Sequence, residues 1–316
     1  MEGSRARTTP WSTRRARPAR AALFALALLV ATHAGHAQDK STYPTVRNPE
    51  RFNIDWRRFY DRADAMTTAA RRSLPHHLDL AYGSDPKQRL DLYLPHEKPS
   101  RPVPVFVFLH GGGFREGDRA HYGFVARPLA AHGIATIVAS YRLYPRRYPD
   151  QVDDTRRVLA WTRANAAARG LDADRVYIGG HSAGAILSAL VGVKTDWNDD
   201  ARLPADFVKG IAPVSGPYDL REAKGFVSDF VEGSSERTAA SPVLNIARTP
   251  PAVVALGSGE RAYLEGSRAF VEELKRRGGR AELLVLEGMG HDGSALTLGD
   301  EQSPLVAAIV RMIRMQ

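Results

Sequence analysis

The chain predicts an α/β protein with a mostly parallel central sheet and helices on both faces. Three observations carry this. Short apolar, β-branched runs alternate with longer amphipathic stretches from residue 103 to the C-terminus, as in strand–helix–strand units joined by right-handed crossovers. Val103–Leu109 and Ile134–Ser140 are continuously apolar rather than alternating, as expected of strands covered on both faces. Two glycine clusters, Gly111–Gly113 and Gly180–Gly184, directly follow strand-like runs. The 316 residues suffice for a large buried core, with no internal repeat and no second boundary after residue 76.

In order along the chain, residues 1–37 read as a signal peptide. Six arginines precede the apolar run Ala21–Val30, and the small residues Gly35 and Ala37 follow at cleavage spacing. That run is too short to span a bilayer, so export to the periplasm or beyond, without a stable membrane anchor, is the expectation. Residues 38–75 form an N-terminal helical segment in which Trp56, Phe59 and Tyr60 share one face, lying across the domain or beside its mouth. Residues 76–316 form the main domain. Leu78–Tyr82 and Arg89–Leu94, separated by the turn residues Gly83–Pro86, predict an antiparallel pair at a sheet edge. Gln151–Arg169 is an amphipathic helix stopped by Gly170. Strands are expected at Val176–Ile178, Ile211–Val214, Ala252–Leu256 and Glu282–Leu286, and helices at Ala185–Val191, Tyr263–Arg277 and Leu305–Met315. Residues 216–250 are mixed in composition and predict a loop over the strand ends, where ligands bind in such sheets.

Composition removes several function classes. There is no cysteine, which excludes disulfides, thiolate nucleophiles and thiolate metal sites. Of the formal charge of +9, residues 1–37 carry +5, leaving +4 on the remainder, so a nucleic-acid partner is not expected.

The chemistry-bearing residues surround Ser182. Gly180-His-Ser-Ala-Gly184 between a strand and a small-residue helix is a nucleophile elbow, a sharp turn that projects the serine hydroxyl. A serine nucleophile needs a base, an acid to orient it, and donors for the oxyanion. His291 sits in a glycine-rich loop just past the last strand, from which it can swing toward the serine. Glu260 follows the penultimate strand, where a carboxylate can accept from the histidine; its other reading is a charge at the start of the next helix. Asp219 and Asp229 are rival acids, one strand too early. His110 and His181 flank the glycines and read as loop-holding residues.

Taken together, His110-Gly-Gly-Gly-Phe114, Tyr141-Arg-Leu-Tyr-Pro145, Gly180-His-Ser-Ala-Gly184 and the late His291 resemble the α/β-hydrolase fold. Within it, residues 76–316 are most similar to hormone-sensitive-lipase-like and bacterial feruloyl-esterase-like carboxylesterases, and the stretch from Gly290 to Leu305 also resembles kynurenine formamidases. The resemblance implies Ser182 as nucleophile, His291 as base and Glu260 as acid, where most relatives carry aspartate. It also implies an oxyanion hole from the amides of Gly112, Gly113 and Ala183, and a small-molecule ester substrate without metal or organic cofactor. An arylformamidase-type amidase and a catalytically silent binding protein on the same scaffold are the alternatives.

Overall fold

The computed structural model describes residues 45–48, 52–95, 100–196 and 203–315, with side chains from Asp55 onward within them. The segment read as a signal peptide lies outside the described residues. A short antiparallel pair, β1 (Thr45–Asn48) and β2 (Phe52–Asp55), leads into helix α1 (Trp56–Ser73), whose first turn is capped by the Asp55 carboxylate accepting from the Arg58 amide at 3.1 Å.

The main sheet has eight strands. They are β3 (His76–Ala81), β4 (Arg89–Tyr93), β5 (Val103–Leu109), β6 (Ala135–Ala139), β7 (Leu171–His181), β8 (Val208–Val214), β9 (Ala252–Gly257) and β10 (Ala281–Leu286). Their spatial order is β10-β9-β8-β7-β5-β6-β4-β3. From β5 onward every pairing between successive or crossing strands is parallel, while β4 runs antiparallel to β6 and β3 antiparallel to β4 at the edge. The antiparallel edge pair and the parallel body both follow the expectation from sequence.

Strand alternation divides the core into two layers. On one face Val105, Val107 and Leu109 of β5 pack with helices α3 (Asp150–Asn165) and α4 (Ala183–Val193), joined there by Phe270 and Leu274 of a later helix. On the other face Phe106 and Phe108 meet α1, α2 (Ala126–Ala130) and the C-terminal helix. Every residue of α4 is buried, which its apolar, small-residue sequence permits on all sides. The Trp56–Phe59–Tyr60 stripe packs on the second face: Tyr60 meets His121 at 4.7 Å between ring centroids and Phe59 meets Tyr122 at 5.9 Å.

Four sequence expectations are corrected. β7 spans eleven residues from Leu171 to His181 instead of starting at Val176, because Leu171 pairs with Val103 ahead of a register shift. The helix predicted to end at Arg169 stops at Asn165 and continues as a 3₁₀ turn, Ala167–Arg169, before Gly170 closes it at φ +68°. Residues 216–250 are not uniformly irregular; they contain α5 (Val227–Phe230) and α6 (Ser234–Ala239). His291 opens a short helix, α8 (His291–Leu296), rather than sitting in a loop. Between these lie α7 (Arg261–Arg276) and, at the end, α9 (Pro304–Arg314). Among the described residues no helix is long and apolar enough to cross a membrane.

Candidate active site

The sheet order places the site. From β5 the chain moves to β6 on one side, and β7 then returns on the other, so the carboxyl ends of β5 and β7 diverge at a topological switch point. Both glycine motifs emerge there. Ser182 occupies φ 57°, ψ −113°, between β7 and α4, a strained conformation for a non-glycine residue that the surroundings must enforce. Its amide donates to the Val214 carbonyl at 2.9 Å, and its own carbonyl accepts from Ala185 at 3.0 Å. The flanking glycines are steric necessities. A methyl at Gly184 would lie 2.1 Å from the Leu109 carbonyl oxygen, and one at Gly180 would lie 2.4 Å from the Gly184 oxygen.

The loop after β5 turns through Gly112 at φ +122°, Gly113 at +60° and Phe114 at +63°. The Gly112 carbonyl accepts from the amides of Arg115 and Glu116, both at 3.1 Å. A methyl on Gly111 would come within 3.3 Å of the Ser182 Cβ, so this loop lies directly against the elbow. Behind it, the His110 ring stacks on Tyr141 at 4.4 Å and donates from Nδ1 to the Gly111 carbonyl at 2.6 Å, while the Tyr141 hydroxyl donates to the His110 carbonyl. Burial pushes the His110 ring down to about 4, leaving it a neutral structural donor. In front, Phe114 stacks on Phe230 at 4.2 Å, and Arg115 makes a two-point bond to Asp229 at 2.5 and 2.7 Å.

His291, at the start of α8, donates from Nδ1 to Oε1 of Glu260 at 2.6 Å; both side chains are almost fully buried. The second carboxylate oxygen, Oε2, accepts from the Gly257 amide and the Ser215 hydroxyl, each at 2.6 Å. Burial alone would raise the Glu260 carboxyl, but the His291 ring and these two donors outweigh it and hold the group below the usual glutamate range. Glu260 stands at the N-cap position of α7, and its carboxylate bonds His291, Gly257 and Ser215 rather than capping the helix. The rival acids are engaged elsewhere: Asp219 with Arg221 and Asp229 with Arg115. The elbow and His291 are tied together by His181, whose Nε2–H donates to the His291 carbonyl at 2.8 Å with the two rings 4.6 Å apart. Burial and the neighbouring His291 push His181 down to about 3, so this tie is made by a neutral ring.

Two residues that sequence reasoning passed over belong to this cluster. Ser215, at φ 58° just after β8, places its Oγ 2.7 Å from that of Ser294, and Ser294 donates to the His291 carbonyl at 2.7 Å. The available signal was a Ser-Gly pair directly after a strand, which alone is too common to single out. A cleft of about 540 Å³ opens beside the cluster, lined by Pro217, Ala223, Phe226, Val227 and Tyr263. The Tyr263 ring is 5.9 Å from that of His291, and a methyl on Gly113 would be 3.1 Å from Phe226, so the cleft runs between His291 and the glycine loop. Among the described residues no three His, Asp or Glu side chains converge as a metal site would require.

This topology, with a serine elbow at the switch point, defines an α/β-hydrolase-fold protein. The chain belongs to the BD-FAE family, whose profile matches residues 90–256. It is 35% identical over 263 residues to esterase LipC of Mycobacterium tuberculosis, covering 75% of this chain and 64% of that protein. It is also 35% identical over 146 residues to a kynurenine formamidase of Danio rerio, covering 46% and 47% of the two chains. The chain spans less than two thirds of the length of the curated relatives it matches. Among solved structures, the esterase of Pyrobaculum calidifontis superposes with a TM-score of 0.66 at 21% identity over 82% of this chain and 91% of that one, a likeness of fold.

Proposed function

We propose that the protein is a serine hydrolase that cleaves short-chain carboxylic esters through an acyl-enzyme. The observation that supports it most is the buried 2.6 Å bond from His291 Nδ1 to Glu260, built onto the same framework as the Ser182 elbow through His181. With the proton of the neutral ring on Nδ1, Nε2 is left as the basic nitrogen. In this reading His291 takes the Ser182 proton as Oγ attacks the ester carbonyl, then returns it to the departing alcohol, and water repeats the sequence on the acyl-enzyme. Glu260 stabilises the imidazolium formed in between. The amides of Gly112, Gly113 and Ala183 receive the oxyanion. As the first residue of α4, Ala183 has no partner for its amide inside its own helix, and the helix dipole adds positive potential there. Removal of one such donor typically costs about 10²–10³-fold in turnover.

The cleft beside Tyr263 and Phe226 would take one side of the ester. The kynurenine formamidase likeness favours a formamide as the second substrate class, because the same attack and oxyanion serve both carbonyls. Labelling with a serine-directed fluorophosphonate tests the mechanism. Stoichiometric modification at Ser182 and its loss in Ser182→Ala, together with turnover reduced to background, are expected; near-wild-type turnover of a folded Ser182→Ala protein refutes it. The leader of residues 1–37 belongs to the same reading, which expects a mature chain beginning near Gln38 outside the cytoplasm. An intact N-terminus recovered from the cytosol of the native host would contradict that.

A further inference from the structure

Ser215 is buried, non-glycine, and held at φ +58°, with its amide donating to Ala255 of β9 at 2.8 Å. A buried serine gains nothing for chain folding from a left-handed backbone that glycine would adopt without strain. What that conformation achieves is the aim of one hydroxyl, which reaches both Glu260 Oε2 at 2.6 Å and Ser294 Oγ at 2.7 Å. Its single proton goes to the carboxylate, so Ser294 is the donor between the two serines and divides its proton between Ser215 and the His291 carbonyl at 2.7 Å. The result is a closed bracket. One end holds the acid by its second oxygen, and the other holds the backbone of the base.

We infer that Ser215, bridged to Ser294, is a positioning residue that locks Glu260 and His291 into one unit and makes a glutamate effective as the orienting acid. The inference rests on the serine-hydrolase reading above. Glutamate has one more rotatable bond than aspartate, so an unsupported Oε1 would turn away from Nδ1. With Oε2 fixed by the Gly257 amide from β9 and by the Ser215 hydroxyl from β8, the carboxylate plane has one orientation left, and Oε1 faces His291. Titratable neighbours of the pair among the described residues include His181, Tyr218 and Tyr263. His181 is pushed down to about 3 by burial and Tyr218 is pushed up by burial, so neither supplies a competing charge near neutral pH.

The test is a set of variants assayed with p-nitrophenyl acetate across pH: Ser215→Ala, Ser215→Gly, Ser294→Ala, Glu260→Gln and the double variant Ser215→Ala/Glu260→Gln. Ser215→Ala and Ser215→Gly are expected to lower kcat about 10- to 100-fold with KM nearly unchanged, as loss of a hydrogen bond to a charged group implies. Glycine relieves the backbone strain without restoring the hydroxyl, so an equal loss in both variants assigns the effect to the hydroxyl. Without that donor Oε1 turns from Nδ1 and the imidazolium loses part of its partner, so the acid limb of kcat/KM moves to lower pH. In the Glu260→Gln background the Ser215→Ala change should cost less than about threefold, because the group it positions is gone. A wild-type kcat and pH profile in Ser215→Ala, or a loss that persists in full beside Glu260→Gln, overturns the inference. Should Ser215→Ala not fold, Ser294→Ala carries the test through the same two readouts, a smaller loss of kcat in the single variant and its disappearance beside Glu260→Gln; an unaltered kcat overturns it equally. Wild-type turnover in Glu260→Gln alone would instead remove the Ser–His–Glu reading on which the inference stands.

Discussion

Replacing Glu260 by glutamine changes only which atom of the side chain can donate, and the structure allows the consequence to be worked out. Three donors converge on the carboxylate: His291 Nδ1–H on Oε1, and the Gly257 amide and Ser215 hydroxyl on Oε2. Glutamine offers one acceptor oxygen and one NH₂. If the NH₂ faces Gly257, the Ser215 hydroxyl can rotate to accept, but the Gly257 N–H cannot, and a buried unpaired N–H costs about 1–3 kcal/mol. If the NH₂ faces His291, every donor is satisfied, provided that the imidazole proton moves from Nδ1 to Nε2. The second arrangement therefore dominates by about 5- to 150-fold, and it leaves a ring with no basic nitrogen toward Ser182. The minority that keeps the right tautomer lacks the negative charge that stabilises the imidazolium. Together these predict a fall in kcat of about 10³–10⁴-fold, on the order of 4–5.5 kcal/mol. KM should change little, because Glu260 is 1% exposed and stands apart from the lining of the cleft. Steady-state kinetics with p-nitrophenyl butyrate, with circular dichroism to verify folding, decides it. A loss under about tenfold refutes the donor argument, and a large loss in Asp219→Asn moves the acid elsewhere.

Three further outcomes follow from the same coordinates. Gly184→Ala places a methyl 2.1 Å from a backbone oxygen of β5, so it should lower stability by at least about 1–3 kcal/mol in urea unfolding and abolish activity through displacement of the elbow; a neutral effect would contradict the close approach. His110 and His181 are buried as neutral rings, pushed down to about 4 and about 3, while the unfolded chain protonates them near 6.5. The unfolded state therefore binds more protons, and stability should fall as pH drops from about 6.5 toward 4, by up to about 1.4 kcal/mol per pH unit for each ring; a flat profile refutes this. Acyl length is the third. The Trp56–Tyr60 stripe is spent on the core of one layer, and each buried CH₂ is worth about 0.8 kcal/mol only where a wall exists to bury it. Acetate to butyrate esters should thus give the higher kcat/KM, and an optimum at ten carbons or more would overturn the expectation.

The comparison of sequence with structure divides along a physical line. Local features with a strict geometric demand were legible. Val103–Leu109 is apolar at every position because it is buried on both faces, and Gly180 and Gly184 are glycines because a methyl at either would meet a backbone oxygen. Both statements depend on a few adjacent residues and one neighbouring strand. Element ends were less legible: the start of β7 depends on pairing with β5, which lies about seventy residues earlier, and the α8 helix at His291 has no N-cap side chain to announce it.

The sequence by itself determined the parallel sheet and the two glycine turns that follow strands, because strand periodicity and steric necessity are written into neighbouring residues. Ser182, Glu260 and His291 stood out by their place after successive strands and by family resemblance. Strand order favoured Glu260 over Asp219 and Asp229, but only the tertiary structure decided which carboxylate meets His291, since the three differ in their partners across the chain. It alone brought Ser215 and Ser294 to the same pair from two elements 79 residues apart. Such contacts are set by the order in which strands pack and by the φ of a single buried residue, and neither leaves a periodic trace in the chain.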